Sequence, residues 1–344
     1  MPTAMKPLFA LLVLAALLLF PVPLLANWTA CLAPYAPGFF FAADKSRGLL
    51  FQLGGESAPA VSRVFPCIHG RAEGDKQKQG DLRTPEGVYF ITRKITQPLD
   101  FMEYGPHAFA LNYPNPVDRI RRKTGGGIWL HSKGQPIAGI KTRGCLAIEQ
   151  EDICGLVSVL APGTPLLIAE RLGGVPFASS AGQLQSSSAP LPAPSGMEMP
   201  AGPSVFFSSA EPREQCSLED RICPPEEQEV QNRDAEEIHF LSGLWIRYWQ
   251  EARETIFTLY DRARFPAGNR EKLSGLRARL RKSFRTDERL AEDVRVLQGP
   301  GYWVSCFSSR SRTGDVWTDG LHALYWMPGK NGSFLIVGEI FIRR

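Results

Sequence analysis

Long apolar runs, charge of one sign and metal-ligand spacings are all scarce in this chain of 344 residues. Only Pro7 to Ala26 is uncharged and apolar for long enough to meet a bilayer, which excludes a multi-span membrane protein. The 39 Lys and Arg stand against 35 Asp and Glu, and no RNP, zinc-finger or homeodomain pattern occurs, so nucleic acid is not an expected partner. There is no HExxH and no CxxC, and His107, His239 and His322 lack partners at ligand spacing, so no metal and no other cofactor is expected. What is present, 44% hydrophobic and 22% charged residues, is ordinary globular composition with length for two domains at ~150 residues each.

Lys6, the run LFALLVLAALLLF, then Pro21, Pro23 and Ala26 follow the basic, apolar and small-residue order of a secretory signal. Leu24 stands where a small residue is preferred for cleavage, so an uncleaved N-terminal membrane anchor is the alternative. Either way the expected location is the periplasm or cell envelope. Trp28 stands where a lipidation box expects Leu, which argues against a lipid on Cys31. Seven cysteines (31, 67, 145, 154, 216, 223 and 306) leave at least one thiol unpaired if every disulfide is internal. Cys216 and Cys223 are near enough to close a small ring, and isolated buried thiols fit equally well.

Leu172 to Ala210 holds six prolines, nine serines and one charged residue, Glu198, too little apolar surface to offset chain entropy. It reads as a linker, continued by an acidic stretch to residue 234, that joins two domains flexibly. Before it, Gly48 to Leu53, Val61 to Ile68, Val88 to Arg93, Gly127 to His131 and Thr164 to Ala169 are apolar runs broken by Gly, Pro and Asp, the pattern of a mostly β domain. After it, Asp234 and Glu237 predict a capping box, with Ile238, Leu241, Trp245, Trp249, Ala252, Ile256 and Leu259 at helical spacing. A second helix face runs through Leu273, Leu276, Leu280 and Phe284. Val294 to Leu297, Tyr302 to Ser309, Leu321 to Met327 and Ser333 to Ile342 predict an antiparallel meander, hence α+β. Nine basic residues between Arg262 and Arg285 read as a solvated face balanced by acids, in preference to a site for an anionic polymer.

The densest candidate site is Gly125-Gly126-Gly127-Ile128-Trp129-Leu130-His131 followed by Thr142-Arg143-Gly144-Cys145-Leu146. An apolar run ending at His131 puts the imidazole at a strand end, and Gly144 permits a tight turn at Cys145. An imidazole that takes the thiol proton would hold a thiolate–imidazolium pair, with Arg143 adding positive charge and N–H groups at Gly144 and Cys145 facing an oxyanion. Cys67 and His69, two apart on one strand, make a rival pair.

These residues, together with Phe39 to Gly48 and Gly80-Asp81-Leu82-Arg83-Thr84-Pro85-Glu86-Gly87-Val88-Tyr89, resemble in order and spacing the YkuD-type L,D-transpeptidase catalytic domain from about Phe39 to Arg171. The resemblance implies a β-sandwich that acts on peptidoglycan stem peptides, with Cys145 as nucleophile and His131 as general base. It implies that the Ser132 carbonyl orients the imidazole, that Gly144 forms the oxyanion turn, and that Arg143, Thr142, Trp129 and His69 line the substrate cleft. Cys67 becomes a packing residue. Many members have Gly where Ser132 stands, His where Arg143 stands, and Arg or Asn where Ala147 stands.

From residue 235 onward the Trp245-x3-Trp249 helix, Phe257, Tyr260 and the final strands resemble the NTF2-like (SnoaL-type) cone. That gives the expectation of an accessory domain which positions glycan or stem peptide, and a protein attached to the wall is a further candidate partner of the enzyme. The same pairing of domains occurs in L,D-carboxypeptidases that shape helical cells. The expected division is a signal or anchor at 1–26, a catalytic domain at 39–171, a linker at 172–234 and an accessory domain at 235–344. The expected activity is L,D-transpeptidation of stem tetrapeptides, with trimming of tetrapeptide to tripeptide and non-catalytic wall binding as alternatives.

Overall fold

The computed structural model describes residues 29–30, 36, 38–54, 60–173, 225–269 and 272–343. The expected signal or anchor, Cys31, Cys216, Cys223 and most of the Pro/Ser-rich stretch lie outside the described residues. Among the described residues no helix is long and apolar enough to cross a membrane. Cys67, Cys145 and Cys154 are free thiols.

The N-terminal part runs β1 (Thr29–Ala30), β2 (Phe39–Asp44), β3 (Leu49–Gly54), β4 (Ala60–Ile68), β5 (Gly87–Lys94), α1 (Phe101–Tyr104), β6 (Ala108–Leu111), α2 (Pro116–Ile120), β7 (Trp129–His131), β8 (Leu146–Ile148), α3 (Gln150–Leu156), β9 (Pro165–Ala169) and β10 (Arg171–Leu172). Strands β2 to β9 close into a barrel in the order β2-β3-β4-β8-β7-β6-β5-β9. This differs from the expected sandwich. β9 pairs in parallel with β2 and antiparallel with β5, while β4 pairs with β3 over most of its length and with β8 at its end. β5 pairs with β9 on one side and with β6 on the other, so β4 and β5 are the strands shared by both halves, and no open edge remains.

The C-terminal part contains α4 (Pro225–Gln250), a 3-10 turn (Glu254–Leu259), α5 (Phe265–Gly268), α6 (Leu273–Ser283) and the strands β11 (Glu288–Gly299), β12 (Tyr302–Thr313), β13 (Val316–Pro328) and β14 (Phe334–Arg343). The strands form the expected antiparallel meander in sequence order. The long helix begins earlier than the Asp234 capping box suggests. Pro225 and the acids Glu226 and Glu227 in the first turn suit a helix start, and the Glu- and Gln-rich run that follows propagates it through what read as linker. Of the basic stretch, Arg264 pairs with Asp261 (2.7 Å), Arg279 with Glu339 (3.0 Å) and Arg281 with Glu254 (2.6 Å), and Arg277 lies over the Phe257 ring. These cations are occupied within the fold.

Alternation along the strands explains how the parts meet. In β2, Phe41 and Ala43 point into the barrel with Leu50, Tyr89, Leu166 and Ile168, while Phe40 and Ala42 point outward with Phe51, Val88, Phe90 and Leu167. The outward set packs against Leu297, Tyr302, Val304, Leu321, Ala323 and Tyr325 of the meander, forming one continuous core. The meander's other face, with Trp303, Phe307, Leu324 and Trp326, packs on Ile238, Trp245 and Trp249 of α4. The order of layers is barrel wall, four-stranded sheet, helices. The flexible joining expected from the Pro/Ser-rich composition is not what the structure shows, because the two parts share a core.

Candidate active site

β7 and β8 lie side by side in parallel, Leu130 opposite Leu146 and His131 opposite Ala147. Leu130 and Leu146 belong to the barrel core, so alternation turns His131 and Cys145 toward the opposite, outer side. Both line a cleft of about 190 Å³ together with Thr142, Arg143, Glu103, Tyr104, Lys76 and the Gly125–Gly127 loop. Fourteen residues apart in sequence, the thiol and imidazole reach one cleft through two short parallel strands.

Two threonine hydroxyls hold the turn. The Thr142 hydroxyl accepts the Gly144 N–H (3.1 Å) and donates to the Cys145 carbonyl (2.6 Å). The Thr84 hydroxyl accepts the Gly70 N–H (2.9 Å) and donates to the Gly144 carbonyl (3.0 Å). Gly144 has φ +129°, and a Cβ there would lie 2.8 Å from the Arg83 carbonyl oxygen, so the turn requires glycine. The Cys145 thiol is 3.5 Å from the Gly127 carbonyl oxygen.

His131 is buried, 1% exposed. Its Nδ1 lies 2.5 Å from the Ser132 carbonyl, so Nδ1 carries the proton and Nε2 keeps its lone pair. The Tyr104 ring meets the imidazole edge-on at 5.2 Å and also contacts Trp129 at 5.1 Å, covering the outer face of β7. Burial pushes the imidazole down to about 4, against a smaller opposing effect of the Ser132 carbonyl. Burial also pushes the Cys145 thiol up, opposed by a hydrogen bond from the Trp129 main chain and by the Lys133 and Arg143 charges. Burial thus disfavours charge on each group, against the thiolate–imidazolium pair expected from sequence.

Arg143 is exposed and reaches Glu103 at 3.7 Å, while the nearly buried Lys133 pairs with the same carboxylate at 2.9 Å. Ser132 lies behind the imidazole with its side chain against Gly105, and Trp129 flanks Tyr104; neither lines the cleft. His69 does not line it either. It is buried behind the turn, its carbonyl accepting the Thr142 N–H (2.9 Å) and its Nε2 3.4 Å from the Lys141 ammonium. Cys67 faces the barrel core, where burial pushes its thiol up to about 12, which suits packing and not attack. Glu103, Tyr104 and Lys133 were not found from sequence: a four-residue helix has no periodicity to mark it, and nothing local pairs Lys133 with Glu103. Among the described residues no three His, Cys, Asp or Glu converge on a metal position.

A second cavity of about 480 Å³ adjoins the cleft. It shares Glu103 and Arg143 with it and adds Arg71, Lys133 and Lys141, a lining that favours carboxylates.

A buried imidazole with a fixed tautomer thus shares one cleft with a thiol held in a glycine turn. Residues 42–168 match the model of the YkuD family, the L,D-transpeptidase catalytic domain, a family of cysteine-dependent peptidoglycan enzymes. Across both parts the fold is similar to that of Bd1075 from Bdellovibrio bacteriovorus, at 18% identity and a TM-score of 0.54, covering 90% of this chain and 94% of that one. It is also similar to Pgp2, a helical cell shape determining protein from Campylobacter jejuni, at 21% identity and a TM-score of 0.50, covering 88% of this chain and 91% of that one. Among curated proteins no match was found.

Proposed function

We propose that this protein is an envelope enzyme that cuts and rejoins peptidoglycan stem tetrapeptides through a thioester on Cys145. The observation that carries the reading is the shared cleft of Cys145 and His131, with Nδ1 held by the Ser132 carbonyl and Nε2 left to take a proton. As the Cys145 sulfur attacks the carbonyl carbon at the L-centre of the diamino acid, its proton passes to Nε2. Because burial disfavours charge on both groups, charge separation is coupled to formation of the new S–C bond. The Gly144 N–H is already donated to Thr142, so the tetrahedral oxyanion falls to the Cys145 main-chain N–H instead. The C–N bond then breaks, the imidazolium protonates the departing D-Ala amine, and the thioester remains.

An acceptor amine completes the exchange by attacking the thioester, giving its proton to His131 and returning the thiol. The cationic second cavity beside the cleft provides room for a second, carboxylate-rich stem, which favours transpeptidation. The second reading is hydrolysis of the thioester, an L,D-carboxypeptidase. The resemblance of the domain pairing to L,D-carboxypeptidases that shape helical cells supports it, together with the likeness in fold to Pgp2, a helical cell shape determining protein. The C-terminal part is then an NTF2-like accessory domain, and residues 1–26 deliver the enzyme to the periplasmic side. Purified enzyme with tetrapeptide muropeptides, followed by mass spectrometry, tests both. Dimers joined between two diamino acids are expected, tripeptide monomers without dimers would establish the carboxypeptidase, and no product from enzyme with an alkylatable Cys145 would end the catalytic reading.

A further inference from the structure

Tyr302 begins β12 in the C-terminal part and is 3% exposed. Its hydroxyl reaches into the catalytic barrel, where it accepts the Val88 N–H (2.9 Å) and a proton of the Asn115 side-chain amide (3.0 Å). The close approach depends on Gly87, since a Cβ there would lie 2.5 Å from the hydroxyl.

Those two contacts fall at the roots of two chain segments that wall the cleft. The segment ending at Gly87 and Val88 contains Gly80, which lines the cleft, and Thr84, which holds the Gly144 carbonyl. The segment beginning at Asn115 runs through α2 to the Gly125–Gly127 loop, whose last carbonyl meets the Cys145 thiol. Between them lies a buried charge network. Lys123 pairs with Asp118 (2.9 Å) and Asp75 (2.6 Å), Asp75 accepts the Glu86 N–H (2.9 Å), and Tyr89 donates to Asp118 (3.0 Å). Arg121 in the second segment lies over the Tyr302 ring and donates to the Pro300 carbonyl.

We infer that Tyr302 is a positioning residue for the reaction: through Val88 and Asn115 it sets the two walls between which the Cys145 thiol is aimed. The C-terminal part thereby belongs to the active site even for small soluble substrates. This rests on the reading of Cys145 as nucleophile and goes beyond it. Tyr325 supplies the control, because it makes the same kind of interdomain bond, from Asn112 Nδ2 (3.0 Å), but on a residue in neither wall.

The test uses the full chain with Tyr302→Phe and Tyr325→Phe. One measurement is iodoacetamide alkylation of Cys145 from about pH 5 to pH 10, read by peptide mass mapping so that the exposed Cys154 does not contribute. The other is kcat and KM on a disaccharide tetrapeptide. Tyr302→Phe is expected to lower kcat about tenfold, to leave KM within about twofold, and to displace the alkylation profile, since small misplacements of reacting groups cost rates of that order. Tyr325→Phe is expected to lower Tm alone. If Tyr302→Phe does not fold, Arg121→Met takes its place with a smaller loss of about threefold in kcat. A native kcat and native profile for the folded variant, or an equal kcat loss for Tyr325→Phe, would overturn the inference. The alkylation profile reads the thiol's setting without any substrate, so the inference is decided even if stem peptides prove not to be turned over.

Discussion

Two buried histidines, one in each part of the molecule, are pushed down to about 4 by burial and are ringed by aromatic side chains. His131 has its Nδ1 on a carbonyl, a thiol in the same cleft and one aromatic lid. His322 has Nδ1 buried without a partner and rings on four sides, Trp245, Trp249, Phe307 and Phe341. It also borders a pocket of about 420 Å³. A perturbed titration is thus no mark of catalysis. What separates the two is a fixed tautomer, set by the Ser132 carbonyl, and a thiol, which the pairing of β8 with β7 brings into the same cleft.

The largest expected effect concerns the dependence of one part on the other. Deleting the chain after Leu172 would uncover the outward face of β2, β3, β5 and β9, which the meander now covers. The truncated barrel is expected to aggregate rather than fold, with soluble yield and circular dichroism as the measure. A folded, active truncation would show that the barrel alone contains the complete site.

Next come the two residues that distinguish the clefts. Cys145→Ala is expected to abolish the covalent adduct formed with a carbapenem, read by intact mass, with Tm close to native. His131→Ala is expected to cost about 10² to 10⁴ in the acylation step, the usual worth of a placed general base. An adduct that survives in Cys145→Ala and disappears in Cys67→Ala would move the nucleophile. Gly144→Ala follows at about 10², because the positive φ and the Arg83 carbonyl both resist a Cβ, and the turn shifts with the sulfur it carries. Native acylation in that variant would show that the turn tolerates relaxation.

Much of this contrast was legible in the sequence, and the reasons for the rest are physical. The apolar runs marked β3, β4, β5, β7 and β9, and the WLH and TRGC stretches marked the site. Ala108–Leu111 was missed because four buried residues of one strand show no alternation to separate strand from loop. The shared core was hidden for a related reason. Runs such as Val88 to Ile91 are buried on both faces, so composition cannot tell a barrel interior from an interface. The Asp234 capping box predicts too late a start for α4, because it lies inside an acidic run whose helix propensity extends back to Pro225. The burial that disfavours charge on Cys145 and His131 comes from depth in the fold and, at His131, the Tyr104 lid, neither of which spacing records.

The two imidazoles should nevertheless act alike on stability. Each has a folded value of about 4, below the ordinary 6.5, so between those values the unfolded chain binds the extra proton. Stability is therefore full above about pH 6.5 and falls with acidification through that window, by about 1.4 kcal/mol per pH unit for each group. Asp81, held down to about 2 with the help of Lys76 and three N–H donors, contributes its own loss only at lower pH. Urea denaturation at about pH 6.5, 5.5 and 4.5 should show a flatter slope in both His131→Ala and His322→Leu. An unaltered slope in either would mean that imidazole is protonated in the folded state.

The smallest effect sharpens the comparison most. His322→Leu removes an imidazole whose Nδ1 is buried without a partner, which relieves a desolvation cost while giving up contacts with the four surrounding rings. These oppose each other, so the change in stability above pH 6.5 is expected to stay within about 1 kcal/mol. The acylation rate should not change, because His322 lies on β13 beyond the meander face that meets the barrel and touches neither cleft wall. Equal rates for native and His322→Leu enzyme, set beside the loss in His131→Ala, would establish that the thiol and the fixed tautomer make the site. A loss in His322→Leu as large as that in His131→Ala, with Tm unchanged, would instead bring the aromatic pocket of the C-terminal part into turnover.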